Sequence, residues 1–170
     1  SEIFGAVTLG GGSDTVGLDP SVIFGDLILG GGDNTLTLDD SRVTGDVTAG
    51  GGDDKVYMTF SGGPYSRIGG NLVLGDGFNL VEMDLAYIGG NLTGGSGNDD
   101  LDMVDSTITG DVDLGAGTNI ITLDDSSISG LVAGGGDDTL DLVNDSSIGG
   151  NVGSALAKVE AISGGSAGAT

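Results

Sequence analysis

The sequence lacks residues on which much of protein chemistry depends. Among its 170 residues there is no cysteine and no histidine. Without cysteine the chain has no disulfide framework and no thiol chemistry, so its redox compartment is left open. Without histidine it lacks the side chain that most often serves as general acid or base in enzymes. No run of about 18 apolar residues occurs either, so no membrane-spanning helix is predicted.

Basic residues are almost absent. Lysine and arginine together number 4, against 26 acidic residues, and the formal net charge is −22. Such an acidic surface repels nucleic acid and anionic membranes. We therefore predict no nucleic-acid partner and no membrane insertion, and cations are the natural counterpart of the chain.

Glycine is the abundant residue, at 37 positions, whereas proline occurs at only 2. A glycine content this high often signals a disordered or collagen-like chain. Here, however, there is no three-residue period, and isoleucine, leucine and valine are plentiful. The chain can therefore build a hydrophobic core, provided that the core is repetitive.

The chain aligns with itself at a period of 20 residues, with the pattern S-x-I-x-G-D-V-x-L-G-x-G-x-D-x-V-x-L-D-x. The units begin at Ser1, Ser21, Ser41, Ser66, Ala86, Ser106, Ser126 and Ser146. Within each unit apolar residues alternate with polar or small ones, which is the period of a strand. No unit can bury its apolar side chains alone, so neighbouring units must stack. We predict an all-β fold, a parallel β-helix or β-solenoid of about eight 20-residue rungs.

Departures from the repeat set the expected boundaries. Residues 1–152 are predicted to form the β-solenoid repeats, interrupted at 61–65 by the inserted loop "SGGPY". Residues 153–163 are expected to cover the open edge of the last rung, because an uncovered strand edge promotes aggregation. Residues 164–170 are expected to form a flexible tail.

Each unit has a glycine-rich turn that ends in acidic or amide residues, as in "GGGDN" at 30–34. The fourteenth position alternates between aspartate and asparagine, in the order Asp14, Asn34, Asp54, Asn79, Asp99, Asn119 and Asp138. Carboxylates on adjacent rungs, about 4.8 Å apart, would repel by roughly 3–4 kcal/mol at an effective dielectric near 20. An intervening amide doubles their separation and can hydrogen-bond along the column. We therefore predict that Asn34, Asn79 and Asn119 form a turn ladder.

A second cluster combines residue types that are scarce in this chain. Its members lie in or beside the rungs that flank the inserted loop: Arg42, Lys55, Tyr57, Phe60, Tyr65, Arg67, Phe78 and Tyr87. Two interpretations remain open. Either the aromatic rings pack the loop onto the solenoid, or the cluster contacts a neighbouring subunit, a glycan or another cell-surface partner.

No arrangement of residues points to catalysis. Enzymes that cleave polysaccharides need clustered carboxylates with a supporting base on one face. The acids of this chain are instead spread in uniform stripes, and only Arg42 and Arg67 share a column of basic residues. The glycine turns also lack the G-x-x-x-x-G-K-[ST] pattern of a phosphate-binding loop. We therefore predict no catalytic residues and a protein that is not an enzyme.

The stretch "STITGDVDLGAGTNIITLDDSSISGLVAGGGDDTLDL", followed by "GGNVGSALAKVEAIS", resembles the passenger domain of bacterial autotransporters. The turns "LGGGSDTVG" and "AGGGDDKVY" are similar in part to the secreted calcium-binding (RTX-like) nonapeptide G-G-x-G-x-D-x-U-x. Both resemblances imply a parallel β-helix or β-roll that is secreted or displayed on the bacterial cell surface. The first implies a rigid structural, adhesin or lattice element. The second implies a β-roll that folds on binding extracellular calcium.

Calcium binding would use the oxygen atoms that this hard cation prefers. The RTX-like resemblance nominates Asp14, Asp54, Asp99 and Asp138 as ligands, and the preceding aspartates of three turns, Asp33, Asp53 and Asp137, would assist. Three possibilities stay open: calcium in every turn, calcium in a subset of turns, and a turn that needs no metal. No cofactor is required in the last case, and calcium is the one implied in the others. Self-association or binding to a cell-surface glycan are the expected partnerships.

Overall fold

The structure, a computed structural model, describes residues 1–153, 158–162 and 166–167. In this part of the chain the regular secondary structure consists of strands, and they form three parallel sheets. The described residues include no helix long and apolar enough to cross a membrane. The predicted all-β parallel solenoid is confirmed.

The strands of each sheet come from successive repeat units. The first sheet contains, in spatial order, β1 (Glu2–Phe4), β4 (Val22–Phe24), β7 (Arg42–Val43), β10 (Ser66–Ile68), β13 (Ala86–Ile88), β16 (Thr107–Ile108), β19 (Ser127–Ile128), β22 (Ser147–Ile148) and β24 (Ser166–Ala167). The second contains β2 (Val7–Thr8), β5 (Leu27–Ile28), β8 (Val47–Thr48), β11 (Leu72–Val73), β14 (Leu92–Ser96), β17 (Val112–Gly117) and β20 (Val132–Gly136). The third contains β3 (Thr15–Leu18), β6 (Thr35–Asp39), β9 (Lys55–Thr59), β12 (Leu80–Asp84), β15 (Asp100–Val104), β18 (Ile120–Asp124), β21 (Thr139–Val143) and β23 (Lys158–Ile162).

Strand pairing joins equivalent positions of neighbouring units, so the 20-residue repeat determines the register of the sheets. Ile3 pairs with Ile23 in the first sheet, and Met83 pairs with Met103 in the third. Between β17 and β20 the register shifts by one residue, because the seventh unit has one residue fewer before its glycine turn. The second sheet has 7 strands, and the described residues accordingly form seven complete three-strand turns.

The core lies between the three sheets and is built from the inward-facing residues of their strands, apart from β1 on the first rung, whose residues are exposed. In β9, for example, Val56 and Met58 are fully buried while Lys55 is exposed. Successive rungs add the same kind of side chain at the same place, as with Leu27, Val47 and Leu72. The result is a set of continuous apolar columns, each rung burying its residues against the rungs above and below.

The eighth unit continues the stack beyond the seven complete turns. Strand β22 pairs with β19, Val152 forms a bridge with Val132, and β23 and β24 pair in parallel with β21 and β22. The remaining residues of the predicted edge segment and tail, at 154–157, 163–165 and 168–170, lie outside the described part. The predicted boundaries at 153–163 and 164–170 therefore stay predictions.

Candidate functional site

The fourteenth position of each of the first seven units faces the inside of its glycine turn. We call the resulting line of residues the inner turn column; it consists of Asp14, Asn34, Asp54, Asn79, Asp99, Asn119 and Asp138. From Asn34 onward each member is buried, and Asp14, on the first rung, is half-buried. A stack of alternating acids and amides thus runs through the edge of the core.

Hydrogen bonds connect the inner turn column without a gap. The backbone N–H of each member donates to the side-chain Oδ1 of the next member, at distances from 2.8 to 3.1 Å. The N–H groups of the column from Asp14 to Asn119 therefore each have a partner on the adjacent rung, as buried backbone groups require.

The asparagines of the column use both ends of their amides. Asn34 Nδ2 donates to Asp54 Oδ1 at 2.9 Å, and also to the turn carbonyls of Gly32 at 2.7 Å and Gly30 at 3.2 Å. Asn79 Nδ2 donates to Asp99 Oδ1 at 2.8 Å. The amides of Asn34 and Asn79 thus close their own turns and bind the next rung at the same time, whereas among the described residues Asn119 Nδ2 donates only to Gly115 O of its own turn, at 3.4 Å.

The aspartates of the column leave one oxygen without a partner. Oδ2 is buried and accepts no hydrogen bond in Asp14, Asp54, Asp99 and Asp138. In Asp99 this atom faces the glycine turn of its own rung, 2.2 Å from where a Cβ on Gly94 would stand. Ionising a carboxyl group whose oxygen is buried in this way is costly unless a cation lies next to it. Burial accordingly raises the pKa of the Asp54 and Asp99 carboxyls above their usual value of 3.8.

The other candidate calcium ligands face away from this column. Asp33, Asp53 and Asp137 are exposed, one residue before the buried position. Two of their carboxylates link the outside of neighbouring turns: Asp53 N–H donates to Asp33 Oδ1 at 2.9 Å, and Phe78 N–H donates to Asp53 Oδ1 at 2.8 Å. Among the described residues, no group of three or more acidic side chains is placed so that it could hold a metal ion.

The aromatic and basic cluster is only partly assembled. Arg42, Arg67, Tyr65 and Tyr87 line one groove, of about 680 Å³, beside the first sheet. Phe60 packs its ring against Tyr65, with 5.5 Å between the centroids. The other three members do not line the groove: Lys55 and Tyr57 belong to β9 of the third sheet, and Phe78 lies at the glycine turn.

No protein-family model matches the chain, no curated protein matches its sequence, and no solved structure matches its fold. What the chain does must therefore be argued from its own geometry.

The structure adds residues to the groove that the sequence did not single out. Pro20, Asp40 and Pro64 also line it, and the Phe24 ring, which does not line the groove, lies under Arg42 with the guanidinium carbon 5.9 Å from its centroid. Phe24 occupies the fourth position of its unit, two residues after the position of Arg42 in the next unit. A search for aromatic residues on the same strand face one rung away would have found it.

Asparagine at positions 54 and 99 is expected to stabilise the protein at pH 7. The double variant Asp54→Asn/Asp99→Asn replaces the unpaired Oδ2 by an amide that can donate to the turn carbonyls. We expect its free energy of unfolding in urea to rise by about 1–3 kcal/mol, the usual cost of a buried polar group without a partner. The matched control Asp19→Asn/Asp84→Asn removes the same charge from two exposed positions.

The same variants test the pH dependence. Because the folded state raises the pKa of Asp54 and Asp99 above 3.8, it binds protons more tightly than the unfolded chain. Wild-type stability should therefore fall as the pH rises from about 3.8 through the higher folded-state pKa values. The column variant should lose part of this dependence, and the exposed control should keep it. A column variant less stable than wild type at pH 7 would contradict the view that Oδ2 of Asp54 and Asp99 is a buried oxygen without a partner.

Proposed function

We propose that the protein is a non-enzymatic β-solenoid that serves as a rigid structural or adhesive element on a bacterial cell surface or outside the cell. The observation that carries this proposal is the inner turn column, whose hydrogen bonds run unbroken from the first rung to Asp138. It ties each turn to the next in addition to the sheets. Such a stack resists bending between rungs, which is what a stalk or lattice element needs.

The surface chemistry supports a role outside the cell in contact with water. The acidic side chains of the outer corners, such as Asp26, Asp33, Asp46 and Asp53, are exposed. A surface with one dominant charge keeps repetitive strands soluble and discourages sheet edges from pairing. The resemblance to autotransporter passenger domains agrees with this role, and the autotransporter origin is part of the proposal.

Calcium-dependent folding is the second candidate. The observation that favours it is the buried Oδ2 atom of Asp14, Asp54, Asp99 and Asp138, which accepts no hydrogen bond. A cation near these oxygens and the turn carbonyls would neutralise the charge, as a proton would. In that case the chain would fold only at extracellular calcium concentrations, as its partial similarity to RTX-like repeats implies.

Circular dichroism in chelator and then in calcium separates the two candidates. We expect a strand spectrum in EDTA that does not change when millimolar calcium is added, with a shift in melting temperature of less than about 2 °C. A stabilising ligand at a large excess over its dissociation constant would produce a much larger shift. A spectrum that is unfolded in EDTA and becomes strand-like when calcium is added would contradict the proposal of a structural element that needs no metal.

The Asp54→Asn/Asp99→Asn variant sharpens this experiment. If calcium holds the turns together, the variant removes ligand charge and should weaken the calcium response. If no cation is bound, the variant removes two buried oxygens that lack a partner, folds in EDTA and melts at a higher temperature than wild type. The two candidates therefore predict opposite changes in the same protein.

A further inference from the structure

The groove beside the first sheet has walls of two different origins. One wall is the sheet surface at β7, β10 and β13, which presents Arg42, Arg67 and Tyr87. The other wall is the end of the inserted loop, Pro64 and Tyr65. Its volume of about 680 Å³ is within the usual range of small-molecule pockets, roughly 300–1,000 Å³.

The loop wall is fixed by Asp40. Its Oδ1 accepts the N–H of Ser61 at 3.1 Å, and its Oδ2 accepts the N–H of Gly63 at 2.9 Å. Ser61 Oγ also donates to Asp39 Oδ2 at 2.7 Å. The carboxylate nearest to Arg42 in sequence is therefore engaged in holding the loop.

The two arginines of the groove have no anionic partner within residues 1–153. Arg42 and Arg67 are register partners in β7 and β10, and both are exposed. Neither guanidinium forms a salt bridge or a hydrogen bond with the described residues. Instead each lies against a ring, with the Arg67 guanidinium carbon 4.6 Å from the Tyr87 centroid. Adjacent arginines that repel each other, in a chain of net charge −22, are a combination that an anionic ligand would stabilise.

The geometry of these groups selects the ligand. Guanidinium groups bind carboxylates through two parallel hydrogen bonds, and a ring behind the guanidinium orients it without using its N–H donors. Tyr65 is 64% exposed and, with Pro64, offers an apolar platform on the opposite wall. A ligand that fits both walls has a ring with one apolar face, which packs on Tyr65, and a carboxylate on that ring. The other acid of the groove, Glu2, is in β1 on the first rung, two rungs from Arg42.

We propose that this groove binds an acidic saccharide, with a uronic-acid carboxylate on Arg42 and Arg67 and a sugar ring against Tyr65. The inference deepens the proposed surface role, because it gives the solenoid a glycan to adhere to. In this arrangement Arg42, Arg67 and Tyr65 contact the ligand. Tyr87 does not contact it but supports the guanidinium of Arg67.

Isothermal titration calorimetry in EDTA and low salt tests the proposal with two probes, a galacturonic acid trimer and a glucuronate-containing hyaluronan tetrasaccharide. We expect at least one probe to bind, and its methyl-esterified form to bind at least tenfold more weakly. Raising the salt concentration should also weaken binding. Failure of both probes to bind, or equal binding of the esterified form, would overturn the proposal.

Two single variants with the same charge change locate the site. Arg67→Ala should weaken binding at least tenfold, whereas Lys55→Ala, outside the groove, should change it less than twofold. Arg67→Lys, which keeps the charge but loses the two-pronged geometry, should fall between them. Equal effects of Arg67→Ala and Lys55→Ala would overturn the groove as the site. Melting temperatures of the variants check that each is folded.

The competing occupant of the groove is the acidic surface of a second copy of this chain. If sedimentation shows a dimer that Arg42→Ala/Arg67→Ala dissociates, and neither saccharide binds, the groove is an interface and the glycan proposal fails. Circular dichroism of the same samples in EDTA separates this failure from that of the proposed function. A folded wild-type protein that binds no saccharide contradicts only the glycan site.

Discussion

Alanine at position 77 is expected to lower the free energy of unfolding by about 4 kcal/mol or more. Gly77 has a φ of +136°, and a Cβ there would stand 2.1 Å from the carbonyl oxygen of Gly52 on the adjacent rung. Both the strained backbone and the overlap with main-chain atoms oppose the substitution. The turn can relieve the overlap only by moving away from its neighbour, which breaks the rung-to-rung hydrogen bonds. Urea unfolding followed by circular dichroism measures the loss.

Gly12→Ala is the matched control for this prediction. Gly12 has a φ of +122° at the same position of the first unit, but a Cβ there would meet nothing within 4 Å. The control therefore carries the backbone strain without the overlap, and should cost about 1 kcal/mol. Equal losses for the two variants would show that close approach of the turns is not what requires glycine at position 77.

The repeat made most of the fold predictable. Alternating apolar residues indicate strands. The 20-residue period then determines which residues pair, because only that register places similar side chains next to each other in the core. Ile3 beside Ile23 and Met83 beside Met103 follow directly from the aligned units. The alternation of aspartate and asparagine likewise pointed to side chains that interact along one column. Hydrogen bonds between Asn79 and Asp99 now give that interaction its geometry.

The sequence could not show which side of the solenoid each residue faces. A repeat unit gives the order of its strands, but the positions of the corners decide which strands share a sheet. Lys55 and Arg42 are close in sequence, yet they lie in strands of the third and first sheets. The link between Asp40 and the loop amides of Ser61 and Gly63 also joins two adjacent rungs. Contacts of this kind depend on the conformation of an inserted loop, which no repeat pattern describes.

Replacing a column amide by an acid is expected to be nearly as harmful as crowding a turn. Asn79→Asp puts three carboxyl groups on consecutive rungs, at positions 54, 79 and 99, and removes the Nδ2 donor to Asp99 Oδ1 and to Gly75 O. The lost donor and the repulsion between buried carboxylates should together cost about 2–4 kcal/mol at pH 7. Lowering the pH should recover part of this loss, since a protonated carboxyl regains a donor.

Asn71→Asp is the control, because it adds the same charge at an outer corner. Asn71 Oδ1 accepts the N–H of Asn91 at 2.8 Å, and Asp111 Oδ1 makes the same kind of bond to Leu131 N–H, so an aspartate can replace this amide without losing the bond. We expect a change below about 1 kcal/mol for this variant. Urea unfolding of both variants with EDTA and with calcium then decides what the column tolerates. If Asn79→Asp is as stable as Asn71→Asp in EDTA, the alternation of aspartate and asparagine does not protect the turns. If Asn79→Asp regains its stability only when calcium is added, three consecutive acids form a cation site.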